Sequence, residues 1–403
     1  LARPWEQGVE VYSQSQGVYE DRKSISSLLG LPQEQVRVML MPNGGGFGGK
    51  EDLSVQGHAS LAAYLMKKPV RVALTREASI CMHPKRHPLS MDIEMGCDSE
   101  GRFTFVKSDI IGDTGAYASV GMKVLERAAG HATGAYHVDV VEVRSRAVYT
   151  NNIPCGAMRG FGVNQINFAV ESCVDELCEM GGFDRWQIRY DNALTPGGMT
   201  STGQVLQSGI GIRKTLEALK NVFQKSKYAG IACGIKNTGI GNGVPDTGKV
   251  KIVVESPERI VIHQGWTEMG QGVYTMAVQF FCEVTGLPPE LVEVRVDTSE
   301  ESESGMTTAS RGTSIIGHSV IDAGRKLKAD LERHTLDELA GKVYEGEWAC
   351  DWTTALETET ANIQTHYSYS YATQVVTLDD SGKLDTVYAA HDAGRIILSL
   401  IHI

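Results

Sequence analysis

The sequence predicts a mixed α/β (α+β) fold. Apolar runs of strand length alternate with segments of helical period, and a Gly-, Ser- or Thr-rich bend precedes each of four such helical segments. The 403 residues, 42% of them hydrophobic, are enough for more than one core, so at least two domains are expected.

In chain order, NGGGFGGKED (43–52) leads into Leu53, Leu61, Ala62 and Leu65 at roughly helical spacing. GAMRGFGVNQ (156–165) leads into Ile166, Ala169, Val170, Cys173, Val174 and Leu177. TEMGQGVYT (267–275) leads into Met276, Ala277, Phe280 and Val284, and TTASRGTS (307–314) into Ile315, Ile316, Val320, Ala323 and Leu327. Strands are expected at VRVML (36–40), VRVAL (70–74), KVKIVVE (249–255), RIVIHQG (259–265) and VEVRV (292–296). DSEGR (98–102), SPER (256–259) and DDSGK (379–383) read as hairpin turns between alternating stretches. A helix over 210–223 is followed by the Gly-rich KNTGIGNGVPDTG (236–248), which has the composition of an inter-domain connection. The domain boundary is placed near residue 205, giving domains at 1–205 and 206–397.

Charge and cysteine usage exclude several classes. With 38 Lys and Arg against 49 Asp and Glu, the net charge is −11, which repels phosphate backbones and anionic lipid. No apolar run reaches the ~18 residues that span a bilayer. The eight cysteines include no CxxC pair, so neither a disulfide framework nor a cysteine-ligated metal is indicated, and the cytoplasm is the expected compartment. His83 and His87 in HPKRHP are the nearest thing to a metal pair. Pro84 and Pro88 break the helix that would align them, so they read as solvated loop histidines. The chain begins at Leu1 within what reads as a mature domain. Residues 398–403, Leu-Ser-Leu-Ile-His-Ile, match the translation of a sequencing adapter, so both ends read as truncated and 398–403 is left out of the fold.

A bend at a helix start presents backbone N–H groups and the positive end of the helix dipole, and glycine lets a flat or anionic ligand approach them. Four such bends suggest a large anionic cofactor held mainly by backbone, against the plainer reading of four strand-to-helix turns. Two familiar motifs fail at 44–51. Gly44-x-Gly46-x-x-Gly49 fits a dinucleotide fingerprint, but the next expected strand ends at Thr75-Arg76 with no acidic residue for a ribose. Gly44-x4-Gly49-Lys50 approaches a P-loop, but Glu51 stands where a magnesium-binding Ser or Thr is needed.

GGGFGGKED, ERAAGH, AMRGFGVNQ and TEMGQG occur in the order and spacing of the molybdenum hydroxylases. From about residue 10 to 397 the chain resembles the molybdopterin-binding subunit of xanthine dehydrogenases and related purine hydroxylases, some of them selenium-dependent. The resemblance implies two molybdenum-cofactor-binding domains, incomplete at both ends, and a metal ligated by the pterin rather than by the protein. It places Gln16, Phe47, Ala157 and Arg159 around the metal as neighbours and not as ligands. It assigns Gly46, Phe47, Ala157, Arg159, Gly270, Gln271, Gly272, Thr308, Ser310 and Arg311 to the cofactor. A hydroxyl and an N–H beside a guanidinium suit phosphate, although Arg311 reads equally well as a helix-start salt bridge.

For the substrate, the resemblance points to Glu51 and Arg127, a carboxylate and a guanidinium that hold a purine and stabilise charge gathering on it. Gln16, Glu51 and Arg127 are thus the expected catalytic set. Phe161 would pack on the substrate ring, worth ~1 kcal/mol of oriented contact, with Tyr367 as a second aromatic wall. Met158 replaces a common aromatic. The implied reaction hydroxylates a purine or related N-heterocycle with water as oxygen source. Electrons leave through [2Fe-2S] centres to FAD on partner subunits or further domains. A bacterial source would favour the cytosine dinucleotide form of the cofactor. The family's general base is a glutamate in a Gly-Glu-Pro segment, which this sequence does not contain, so the chain alone is expected to be inactive. A molybdenum aldehyde oxidoreductase and a nucleotide-binding module without redox chemistry are the alternatives.

Overall fold

The computed structural model describes residues 1–300 and 302–398. The chain packs as two compact units that interleave in sequence: unit 1 is Leu1–Pro84 with Pro245–Asp351 and the chain from Ile397, and unit 2 is Lys85–Val244 with Trp352–Ile396. Residue 205 lies within unit 2, and the Gly-rich connection 236–248 is where the chain leaves unit 2 for unit 1.

The first segment carries β1 (Ala2–Trp5), β2 (Gly8–Ser13), α1 (Val18–Leu29), β3 (Val36–Leu40), α2 (Gln56–Met66) and α3 (Arg76–Met82). Unit 2 follows with β4 (Leu89–Cys97), β5 (Phe103–Asp113), α4 (Gly121–Ala129), β6 (Val140–Val148), α5 (Val163–Gly181), α6 (Arg185–Asn192), α7 (Ile212–Lys225) and β7 (Ala229–Thr238). Unit 1 resumes with β8 (Asp246–Ser256), β9 (Arg259–Gln264), α8 (Val273–Thr285), β10 (Val292–Arg295), α9 (Gly312–Leu331) and β11 (Val343–Cys350). Strands β12 (Ser368–Leu378) and β13 (Leu384–Asp392) complete unit 2.

Unit 1 holds the sheets β1-β2-β3 and β10-β9-β8-β11, with β2–β3 and β9–β10 parallel and their other pairs antiparallel. The five apolar residues expected on the helix after 307–314 are all buried on α9, as a stripe against β8 and β11. The approach is close enough to require glycine on both strands. A Cβ at Gly346 would lie 2.0 Å from the Ser319 carbonyl oxygen, and one at Gly248 would lie 2.1 Å from the Ile315 side chain.

In unit 2, β4-β5-β6 packs with α4 and α5, and β13-β12-β7 packs with α7. Along β5 the alternating burial from Val106 places Val106 and Ile110 in a core shared with Ile166, Val170 and Val174 of α5, and Phe103, past a register shift, joins the same core. A buried ion pair joins α6 to α5, with Arg189 donating to Glu171 at 2.8 Å and to Asp175 at 2.9 Å. The Tyr136 hydroxyl donates to the other Glu171 oxygen, at 2.5 Å.

The three expected hairpins are present, at β4–β5, β8–β9 and β12–β13. Three expectations are corrected. VRVAL (70–74) is not a strand; Val70 makes a single bridge to Ala2 and the rest is irregular. On α2 the buried face is made of Gln56, Gly57, Ala59, Ser60 and Ala63, while Leu61 and Leu65 point outward, because helix and sheet meet through small residues. His87 is buried at 2% exposure rather than solvated. Of the segment read as an adapter, residues 399–403 lie outside the described residues.

Candidate functional site

Three of the four bends come together in unit 1, and Gln16 is where they meet. It follows β2 and stands just before Gly17, the residue that caps α1. Its side chain is buried, at 2% exposure. The carboxamide oxygen accepts from the backbone N–H of Gly48 at 2.8 Å and of Lys50 at 3.3 Å. The carboxamide nitrogen donates to the Thr307 carbonyl at 2.8 Å and, more weakly, to Glu51 at 3.4 Å. Its backbone bonds to Lys50 and Thr307 as well. One fully engaged amide therefore registers 46–51 against 307.

The third bend is held by Thr267, whose N–H donates to the Thr307 hydroxyl at 2.8 Å. Gly46 faces this bend closely: a Cβ there would fall 2.3 Å from Met269 Sδ and 2.7 Å from Gln16 Oε1. The rim is otherwise open. A Cβ at Gly44 or Gly270 would meet nothing within 4 Å, and the Phe47 ring is 59% exposed. Phe47, Ala309 and Ser310 all hold positive φ (56°, 58° and 51°) without being glycine. Such strain persists only where surrounding contacts enforce it, and it clusters at functional loops.

The bends do not all work as bare helix starts. The first is separated from α2, which begins only at Gln56. At α8 the donors are already occupied by the chain's own carboxylate: Glu268 accepts from Gly270 at 2.7 Å, Gly272 at 3.0 Å and Tyr274 at 3.2 Å. Gln271 turns inward, accepting from Met269 N–H and donating to the Thr267 carbonyl. Arg311 is buried and paired with Asp246, donates to the Met306 carbonyl and lies 5.0 Å over Trp266, so its charge is met within the protein.

Glu51 sits beside Gln16 and accepts from the Thr308 hydroxyl at 2.7 Å. Burial raises its pKa from 4.5 to about 7, with Asp52 pushing the same way and the Thr308 and Gln16 hydrogen bonds and Arg311 opposing. Near neutrality the group thus has access to both forms, one donating and one accepting.

Unit 2 carries the remaining expected residues. Arg127, in the last turn of α4, is nearly buried at 9% exposure; its guanidinium donates to His366 Nε2 at 2.5 Å and to the Ile240 carbonyl at 2.8 Å. Ala157 is buried, whereas Arg159 and Met158 are exposed. Phe161 has φ 54°, between Gly160 and Gly162 at 95° and 93°, and packs against the unit 2 core just before α5 begins. Tyr367 lies against Gly239, where a Cβ would come 2.3 Å from its ring. The sequence reading missed His366, next to Tyr367 in HYSYSY, as well as Glu268, Asp246 and Met269. Among the described residues no group of three or more His, Cys, Asp or Glu is placed to hold a metal, so a metal at either place has to bring its own ligands.

Two family models, each a molybdopterin cofactor-binding domain, match residues 1–193 and 208–402. The chain belongs to the molybdenum hydroxylase family. This molybdopterin-binding chain is 31% identical over 341 residues to a probable xanthine dehydrogenase component of Bacillus subtilis, covering 82% of this chain and 46% of that protein. It is 43% identical over 203 residues to a nicotinate dehydrogenase large molybdopterin subunit of Eubacterium barkeri, covering 50% of this chain and 48% of the relative. Among solved structures, an aldehyde oxidoreductase from Desulfovibrio gigas matches 98% of this chain and 47% of its own with a TM-score of 0.91 at 24% identity, a likeness of fold. The hydroxylase chain thus spans about half the length of these relatives.

The unit 1 rim fits a pterin-type cofactor. Its glycines leave space beside Gly44 and Gly270, its loops are locked from behind by Gln16, and among the described residues no cluster of metal-ligating side chains stands there.

Proposed function

We propose that this chain is the molybdopterin-binding part of a xanthine dehydrogenase-like hydroxylase that oxidises a purine or related N-heterocycle. The observation that carries the reading is the convergence of three glycine- and threonine-rich bends on Gln16, with Glu51 on the same loop as Gly46. When bound, the molybdenum cofactor supplies oxidation at a ring carbon, with water as the oxygen source.

The chain's own residues bind, orient and handle protons. The backbone of Gly46 and Phe47, the space left beside Gly44 and Gly270, and the Thr308 and Ser310 side chains line the cofactor, and Gln16 keeps the loops in register. Arg311 braces this wall through Asp246 rather than gripping phosphate directly. Gln271 acts likewise, fixing the 267–272 bend from inside. Gly272 starts α8 at a positive φ, which favours glycine. The family resemblance assigns Ala157 and Arg159 of unit 2 to the cofactor, and Phe161 and Tyr367 to the substrate ring as aromatic surface. Glu51 meets a ring nitrogen, donating as the acid or accepting an N–H as the carboxylate. Arg127 stabilises negative charge that develops on the substrate.

The Bacillus relative, named for xanthine dehydrogenase, favours a purine, and the nicotinate dehydrogenase relative widens the class to other nitrogen heteroaromatics. Iron–sulfur and flavin partners, the cytosine dinucleotide form of the cofactor and a cytoplasmic location belong to the same proposal. The domain boundary near 205 is proposed as the division between the two cofactor-binding sequences.

The test is Glu51→Val in the holoenzyme. We expect kcat/KM for hypoxanthine and xanthine to fall by about 100-fold or more, the loss of about 3 kcal/mol typical of a charged hydrogen bond to the reacting group, with aldehyde turnover little changed. An unchanged kcat/KM for both purines overturns the assignment.

A further inference from the structure

Around the Arg127 head, unit 2 gathers two cations whose donors go to a histidine, an amide and carbonyls rather than to a carboxylate. Arg127 is a permanent cation. Lys236, near the end of β7, is half-buried and donates to the Asn237 side-chain oxygen at 2.5 Å and to the Asn237 carbonyl at 3.2 Å. Among the described residues neither cation makes an ion pair with a carboxylate. Glu126, next to Arg127 in sequence, is engaged with Lys123 at 2.8 Å and with Asn242. The histidines offer little relief. His366 Nε2 accepts from Arg127, which leaves its ring proton on Nδ1, 3.4 Å from the Asn237 amide nitrogen, itself a donor to Gly239. His131 donates from Nδ1 to the Arg127 carbonyl at 2.9 Å, and its buried Nε2 has no partner. Tyr369 hydrogen-bonds to Gln204.

Burial together with the neighbouring cations pushes the pKa values of both histidines down, that of His366 to about 2, so both stay neutral. Burial, and then Arg127, bring Lys236 down to about 7. A buried guanidinium beside a half-buried ammonium, with no carboxylate paired to either, is costly, and an anion held near both removes part of that cost.

We propose that Lys236 is a second, specificity-determining cation beside Arg127, and that this cluster selects nitrogen heteroaromatic substrates bearing a ring carboxylate over neutral ones. Two cationic heads, one from α4 and one from β7, offer positive charge to a carboxylate, and the lone pair on His131 Nε2 is available to a ring N–H or an ordered water. The inference rests on the reading of Arg127 as a substrate residue. It adds to that reading the charge of the substrate and a residue outside the expected set. Because Lys236 must be protonated to attract the anion, binding takes up a proton, and affinity falls as pH rises through 7.

The experiment is calorimetric titration of the full 403-residue chain with nicotinate and its neutral isostere nicotinamide at pH 6.5 and 8.5. Nicotinate is an anion at both values. We expect nicotinate to bind at least about tenfold more tightly than nicotinamide at pH 6.5, a preference of ~1.4 kcal/mol. Nicotinate should weaken at least about fivefold at pH 8.5 while nicotinamide stays level. Lys236→Met should erase the preference, and Lys236→Arg should keep it and remove the pH dependence. Equal binding of the two ligands by the wild-type chain, or a preference that survives in a folded Lys236→Met chain, overturns the proposal. If the methionine variant does not fold, a pH dependence persisting in Lys236→Arg overturns it instead. These titrations need no molybdenum, so an enzyme lacking the metal would defeat the proposed function while leaving this result readable.

Discussion

Replacing Glu51 by Gln should stabilise unit 1 at alkaline pH and leave it unchanged at acidic pH. Burial raises the Glu51 pKa from 4.5 to about 7. The folded protein therefore binds this proton more tightly than the unfolded chain does, and stability falls as pH rises from 4.5 to 7. Above 7 the full cost is present, and below 4.5 it is absent. The rise corresponds to about 3 kcal/mol at 1.36 kcal/mol per pH unit, and solvent at the partly exposed edge of the carboxylate reduces it to about 2 kcal/mol. Glutamine keeps an oxygen to accept from Thr308 and does not titrate. Asp21, which burial raises to about 6, sits in both proteins and cancels from the difference. Urea unfolding at pH 5 and pH 8 measures it directly. We expect the gain of Glu51→Gln over wild type to be below about 1 kcal/mol at pH 5 and about 2 kcal/mol at pH 8, the latter about 4–8 °C in Tm for a unit of this size. An equal gain at both pH values, or none at pH 8, refutes the reasoning.

Gly46→Ala should empty the cofactor rim, because its Cβ would collide with Met269 and with the Gln16 oxygen that Gly48 and Lys50 hold in place. Gly230→Ala on β7, outside the rim and with nothing within 4 Å of its Cβ, is the control; molybdenum content of the purified holoenzyme should drop several-fold only in the former, and equal content in both contradicts the packing argument. Arg189→Met should cost about 3–5 kcal/mol by urea unfolding, since it strands the buried Glu171 carboxylate and its Tyr136 partner; a loss below ~1 kcal/mol would mean that Glu171 does not depend on this pair.

Regularities carried by local sequence were legible. The α9 stripe, the three hairpins and the apolar face of α5 follow from period and turn chemistry alone. What failed depends on long-range packing. VRVAL has strand composition but gains only one bridge, and Leu61 and Leu65 lie outside because the small residues of α2 were needed where it meets β1 and β2. At the site, the residue types around 46–51, 267–272 and 307–311 were visible in their motifs. Their partners were not, because Gln16 to Thr307 spans 291 positions and Arg127 to His366 spans 239. Glu268 shows the same limit at short range, since nothing in TEMGQG announces that its carboxylate turns back to close the amides of its own bend.

The most direct test is elemental and pterin analysis of the purified holoenzyme containing this chain. If backbone bends locked by Gln16 cradle a pterin, molybdenum and pterin should each be recovered at about one per chain, and both should be lost together when the rim is blocked at Gly46. A folded protein without molybdenum or pterin that binds NAD or ATP tightly would contradict the account.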